Sequence, residues 1–152
     1  MLPDPSGSIG TPSHTPVMLY VDDEAAIRRA AHAWLARDGI EVHSARSALG
    51  ARRCMAMHHF DGAFIDLWLG ESSGLELYDW MLANRPLLAE RTVFVTGDSL
   101  ASAETMTRLA QTGRAVIAKP FDLAVLSYYA RAWSDRPRRN GFDAGAELSP
   151  SP

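Results

Sequence analysis

The chain has one cysteine, Cys54, so no disulfide can close within it, and a reducing cytoplasm is its simplest home. No apolar run approaches the roughly 20 residues a helix needs to cross a bilayer. Met1 to Pro16 also lacks the basic stretch and apolar block of a secretory signal. Positive charge is not in excess. A formal net charge of −3 gives no general attraction to nucleic acid or to an anionic membrane surface, so a partner is expected to be a protein. Arg136, Arg138 and Arg139 read as solvated charge, because the stretch around them has no room for a DNA-binding motif. A glycine-rich loop ending in Gly-Lys-Ser/Thr is missing after the first apolar run, where Asp22-Asp23-Glu24 stands, and this excludes a P-loop nucleotide site.

What is present is the balance of one globular domain: 152 residues, 47% hydrophobic and 22% charged. Residues 1–16 carry four prolines among Gly, Ser and Thr, cannot bury enough surface to offset ordering entropy, and read as a flexible leader. Residues 134–152 have a similar composition and read as a flexible tail. The folded domain is expected over 17–133. Inside it, short apolar runs alternate with segments of helical period, which predicts an α/β domain with a parallel sheet and covering helices. The predicted strands are Val17–Val21, Ile40–Ser44, Gly62–Ile65, Thr92–Val95 and Ala115–Ala118. Five helices follow them. Glu24–Arg37 aligns Ile27, Ala31, Trp34 and Leu35 and is closed by Gly39. Ser47–His58 aligns Leu49, Arg53 and Met57, and a third helix carries Leu75, Tyr78 and Leu82. Ala101–Gln111 holds Met106, Leu109 and Ala110, and Asp122–Trp133 turns Leu126, Tyr129, Ala130 and Trp133 inward. Cys54 is expected to be packed or inert, and His58-His59 to be a solvated helix end.

Acids gather where these strands end. Asp22 and Asp23 follow the first strand and Asp66 the third, and the carboxyl ends of strands in an open parallel sheet form the ligand crevice. Three converging carboxylates repel unless a hard cation joins them, and magnesium, or manganese in its place, suits such oxygen ligands while leaving room for phosphate oxygens. The fourth strand ends in Val95-Thr96-Gly97 and the fifth in Ala118-Lys119-Pro120-Phe121, bringing a hydroxyl and an ammonium to the same edge. A phosphoryl group on Asp66 could then give one oxygen to the metal, one to Lys119 and one to Thr96. Asp66 needs no base to act as nucleophile, because it is already ionised. Each feature has a plainer reading by itself: a helix cap at Asp22 to Glu24, a turn at Thr96-Gly97, a solvated lysine before a helix-starting proline. Their coincidence at four strand ends favours chemistry.

In order, Val21-Asp22-Asp23-Glu24, Ile65-Asp66-Leu67, Val95-Thr96-Gly97 and Lys119-Pro120-Phe121 resemble the receiver domain of bacterial two-component response regulators, the CheY-like family, over about 17–133. The resemblance implies a flavodoxin-like, doubly wound (βα)5 fold with helices on both faces and strand order 2-1-3-4-5. It implies Asp66 as phosphoacceptor, and Asp22, Asp23, Asp66 and the backbone carbonyl of Trp68 as ligands of the magnesium ion. Thr96 would be the switch hydroxyl, Lys119 the phosphoryl-binding lysine, Pro120 a cis-proline, and Gly74 the glycine closing the loop after the third strand. Trp68 and Asp98 would flank the attacking water and tune the phosphoryl lifetime. Two positions depart from the family pattern. Gly70 replaces a common proline, and Val116 stands where the family has the aromatic residue that swings inward when the threonine moves. Output is therefore expected from the Gly97–Ala101 loop and the fourth helix, by a shift between pre-existing forms.

The resemblance implies a phosphoacceptor protein rather than a turnover enzyme, beyond slow self-dephosphorylation, and a phosphorylated donor that is a histidine kinase or a histidine phosphotransfer protein. With no DNA-binding segment of its own, the chain is expected to be a stand-alone switch, a relay, or a piece of a hybrid kinase. Downstream protein docking or homodimerisation is expected on the face of the fourth helix, fifth strand and fifth helix, around Met106, Tyr128 and Arg131. A haloacid-dehalogenase-type phosphohydrolase would need a second Asp where Trp68 stands. The rival reading is a receiver-like module that docks or dimerises without being phosphorylated.

Overall fold

The computed structural model describes residues 14–97 and 101–135. β1 (Val17–Val21) is buried from Met18 onward and lies inside a five-stranded sheet, between β2 (Glu41–Ala45) and β3 (Gly62–Asp66). A two-residue hairpin follows β3, with β4 (Trp68–Leu69) antiparallel to β5 (Ser72–Ser73). β6 (Thr92–Thr96) and β7 (Val116–Ala118) complete the large sheet, whose order is β2-β1-β3-β6-β7 with every pair parallel. Leaving out the hairpin, the order is the expected 2-1-3-4-5, so the chain reverses its winding direction beside β1 and β3. That switch point is where Asp22 and Asp66 emerge.

Alternation along the strands divides the core in two. Leu19, Val21, Ala63, Ile65 and Phe94 face α2 (Ala48–Met57), α3 (Gly74–Asn84), α4 (Pro86–Glu90) and Leu109 of α5 (Ala103–Gln111). Met18, Tyr20, Phe64, Val93, Val95 and Ile117 face α1 (Ala25–Arg37) and α6 (Ala124–Ser134). Burying each large apolar side chain contributes about 1.5–3 kcal/mol. The first and last helices are also joined by polar contacts. The Trp34 indole N–H donates to Ser127 Oγ at 2.9 Å, the Ser127 hydroxyl donates to Asp38 Oδ2 at 2.6 Å, and Arg131 pairs with the same oxygen at 3.1 Å.

Several boundaries differ from the sequence reading for local reasons. β2 starts at Glu41 because the Ile40 amide still bonds to Leu35 O in the cap of α1, where Gly39 takes a φ of 76°. β3 and β6 run one residue further, to Asp66 and Thr96, which keep their register with Val95 and Ala118. α5 starts at Ala103, capped by Ser102 Oγ accepting from the Thr105 amide. The expected inner stripe of α2 is corrected. Leu49 and Met57 are exposed, as is Arg53, and Ala51 and Met55 point inward with Ala48 and Cys54 packed beside them. In α3, Met81 is buried and Leu82 half exposed, and on α5 only Leu109 is buried, Met106 and Ala110 being exposed. α4 and the β4–β5 hairpin were not expected. At the start of the domain, Pro16 O accepts from the Glu41 amide, and His14 Nε2 lies 3.2 Å from buried Asp61, so 14–16 are tied to the sheet.

Candidate functional site

Four strand ends meet in one cavity of about 310 Å³, lined by Asp23, Glu24, Asp66, Trp68, Gly97 and Lys119. Asp22 is fully buried against it. Its Oδ1 accepts from the Glu24 amide at 2.9 Å, and its backbone carbonyl accepts from Arg28 Nη1 at 2.7 Å, so α1 reaches back to fix the acidic loop. No side chain caps α1 at Glu24, which removes the plain helix-cap reading of the acids. Asp66, nearly buried at the end of β3, accepts from the Trp68 amide through Oδ1 at 3.0 Å. Gly74 is required behind it: a Cβ there would stand 2.2 Å from Asp66 O, while the Gly74 amide donates to Leu67 O.

Lys119 joins the acids. It is the only lysine in the sequence, against fourteen arginines, and its Nζ lies 2.6 Å from Asp66 Oδ2, 2.9 Å from Asp22 Oδ2 and 3.2 Å from Glu24 Oε1. The approach to Asp22 Oδ2 falls outside hydrogen-bond geometry, so that contact is Coulombic. A compact ammonium on a flexible stem can take this central place where a planar guanidinium could not turn toward three carboxylates. Burial raises the Asp66 pKa above the ordinary carboxylate range, and repulsion from Asp22 adds to it; the hydrogen bonds from Lys119 and the Trp68 amide pull the other way without reversing the shift. Burial by itself would lower the Lys119 pKa, but the hydrogen bond to Asp66 and the attraction of the Asp22 and Asp66 carboxylates outweigh it and raise the value. Both groups therefore hold protons more firmly than in water.

Asp22, Asp23, Glu24 and Asp66 each bring a carboxylate oxygen within 4.8 Å of the others, and among the described residues no other set of three or more metal-ligating side chains comes so close. The donors are all hard oxygens, and one of them, buried Asp22 Oδ2, has no hydrogen bond. A divalent ion such as magnesium fits this set. Glu24 was read from the sequence only as part of a motif; its placement as a third consecutive acid was the available signal. Thr96 ends β6 beside Lys119, whose amide donates to Thr96 O at 2.7 Å. The Lys119–Pro120 peptide is cis, as expected, and Val116 is exposed opposite Phe94 at the start of β7. The Trp68 indole is 63% exposed at the cavity rim. Asp98 lies outside the described residues.

The fold and these acids define a receiver. Residues 18–131 match the family described as response regulator receiver domain, and the chain belongs to that family. It is 32% identical over 138 residues to the alginate biosynthesis transcriptional regulatory protein AlgB of Pseudomonas aeruginosa, a match covering 82% of this chain and 30% of that protein. The AlgB protein of Pseudomonas syringae pv. tomato is 38% identical over 98 residues, 64% of this chain and 21% of that one. The matched region thus spans less than a third of these curated relatives. Among solved structures, a CheY-like receiver domain protein from Methanospirillum hungatei JF-1 is similar with a TM-score of 0.71 and 28% identity, covering 80% of this chain and 95% of that one. A response regulator receiver protein from Pseudomonas putida gives 0.70 and 27%, covering 79% and 98%. This chain is a receiver domain of a two-component response regulator.

Proposed function

We propose that Asp66 accepts a phosphoryl group from a phosphohistidine donor, with Asp22, Asp23, Asp66 and the Trp68 carbonyl holding magnesium. The observation that carries this reading is the half-buried Lys119 ammonium between Asp66 and Asp22, at 2.6 and 2.9 Å. An Asp66 oxygen forms the new bond to phosphorus while the phosphorus–nitrogen bond of the donor breaks, and the leaving imidazole keeps the electron pair and takes a proton. Lys119 turns from the carboxylates to a phosphoryl oxygen, and the Thr96 hydroxyl takes another. When bound, magnesium neutralises charge developing on the transferred group. Trp68, at the rim, screens the acyl phosphate from water and sets its lifetime with Asp98.

The donor is a histidine kinase or a histidine phosphotransfer protein, which places the domain in the cytoplasm. Output passes through protein contact on the surface of α5, β7 and α6, where Met106, Val116 and Tyr128 are exposed. Incubation with acetyl phosphate and magnesium, followed by intact-mass measurement, tests the reading. One added phosphoryl mass in the native chain and none in Asp66→Asn is the expected result. Failure of the native chain to gain mass, or a gain that survives Asp66→Asn, would leave a docking module without phosphorylation.

A further inference from the structure

Tyr20 is buried to 1% exposure, and its hydroxyl has no hydrogen-bond partner among the described residues. A phenylalanine would fill the same space without that cost, so the hydroxyl calls for a reason. Register supplies one. Tyr20 pairs with Phe64, and Phe64 with Val93, forming a row across β1, β3 and β6 on the α1–α6 side of the sheet. Two residues further along the same strands come Asp22 and Asp66. Among Tyr20, Phe64 and Val93, Tyr20 carries the one polar tip, and a strand advances about 6.6 Å over two residues, a step a tyrosine leaning along the strand can span. Burial is the main reason its hydroxyl resists ionisation; next comes the negative charge of Asp22, with Asp66 and Glu24 adding to it and Lys119 opposing. The hydroxyl thus lies within the field of the acidic site.

Asp22 has the complementary need. Its Oδ1 is held by the Glu24 amide, but Oδ2 is buried without a hydrogen bond and is neutralised by Lys119 at 2.9 Å. Lys119 has to leave that oxygen to serve a phosphoryl group or to admit a metal. We propose that Tyr20 is a positioning residue for the acceptor site, its hydroxyl donating to Asp22, directly or through one buried water, when Lys119 turns away. This rests on the reading of Asp66 as acceptor under magnesium. It adds a donor from the floor of the sheet that keeps Asp22 oriented in the loaded state, the role that outer hydrogen bonds play for metal-binding carboxylates.

Tyr20→Phe keeps the ring and its packing on Phe64, so it separates the hydroxyl from the fold. Without metal, the variant is expected to melt at or above the native temperature. Its magnesium affinity, measured by calorimetry on the unphosphorylated full chain, should fall about ten-fold, the lower end of what loss of an outer-shell partner costs. The acetyl-phosphate-labelled form should also lose its phosphoryl group several times faster. Magnesium affinity and phosphoryl lifetime within two-fold of native would overturn the proposal. So would a drop in metal-free melting temperature that accounts for both losses, since the hydroxyl would then serve the fold. If the native chain takes up no phosphoryl group, the acceptor reading fails, and the calorimetric comparison still decides the role of Tyr20.

Discussion

Lys119 and Asp66 form a pair whose burial works against both charges and prevails only at Asp66. Because the Asp66 pKa is raised on folding, its charged form disfavours the metal-free folded state. The sign follows directly. Below the ordinary carboxylate pKa of about 3.9 the group is protonated in both states and carries no penalty. As pH rises past that unfolded value the penalty appears, and it is complete above the higher folded one. Lys119, also raised, contributes stability that is full below its unfolded pKa, so at neutral pH it is already fully present. Asp66→Asn keeps an oxygen to accept from Lys119 and removes the buried charge. Without metal, this variant should melt a few degrees above native at neutral pH, the scale on which about 1 kcal/mol registers in a domain of this size, with the gain shrinking as pH falls toward 4. Thermal melts at several pH values check this; a gain independent of pH would show that relief of buried charge is not its source. Asp22, Asp23, Asp66 and Lys119 were legible in the sequence because each is a charge placed where an apolar run stops. Tyr20 was not, since a tyrosine inside a strand looks like any β-forming residue until its hydroxyl is found unpartnered.

At the scale of elements, α1 and α5 differ most in how they are held. α1 packs Ala31 and Leu35 into the core and is joined to α6 through Trp34, Ser127 and Asp38. α5 buries Leu109 alone and reaches α3 through the Arg108–Asp79 ion pair, both partners largely exposed. Ser127→Ala would leave the Trp34 indole without its acceptor and Asp38 with one donor fewer, a loss of about 1–3 kcal/mol measurable by denaturant unfolding. Arg108→Ala should cost under about 1 kcal/mol, yet amide hydrogen exchange in α5 should quicken while α1 is unchanged. Equal quickening in both helices would show that the ion pair supports the whole fold. The five main strands and their helices were legible from alternating runs, because strands buried on both faces are nearly all apolar. The faces of α2 were not: its Leu49–Arg53–Met57 spacing is helical, but small residues, Ala48 and Ala51, let the backbone sit close to the sheet and turn the larger side chains outward. The β4–β5 hairpin is two residues a side, too short to leave a period, and α4 is a single turn started by Pro86.

For the whole molecule, the acidic site and the stability of the fold are one equilibrium. Asp22, Asp66 and Lys119 come from β1, β3 and the end of β7, which no local segment brings together, so a ligand held there binds the folded chain and not the unfolded one. Such a ligand stabilises by RT ln(1 + [L]/Kd), about 2.7 kcal/mol at a hundred-fold excess over Kd. A domain of this size should then gain roughly 10 °C in melting temperature when magnesium is added at that excess. Asp66→Asn should begin higher and gain much less, because one carboxylate of the set is gone, and the two curves should approach or cross as magnesium rises. Sodium at matched ionic strength controls for screening of surface charge, which acts on every exposed pair. Equal gains with sodium and magnesium would place the effect at the surface. Equal gains in native and Asp66→Asn would place the ion away from Asp66 and detach the metal from the acceptor.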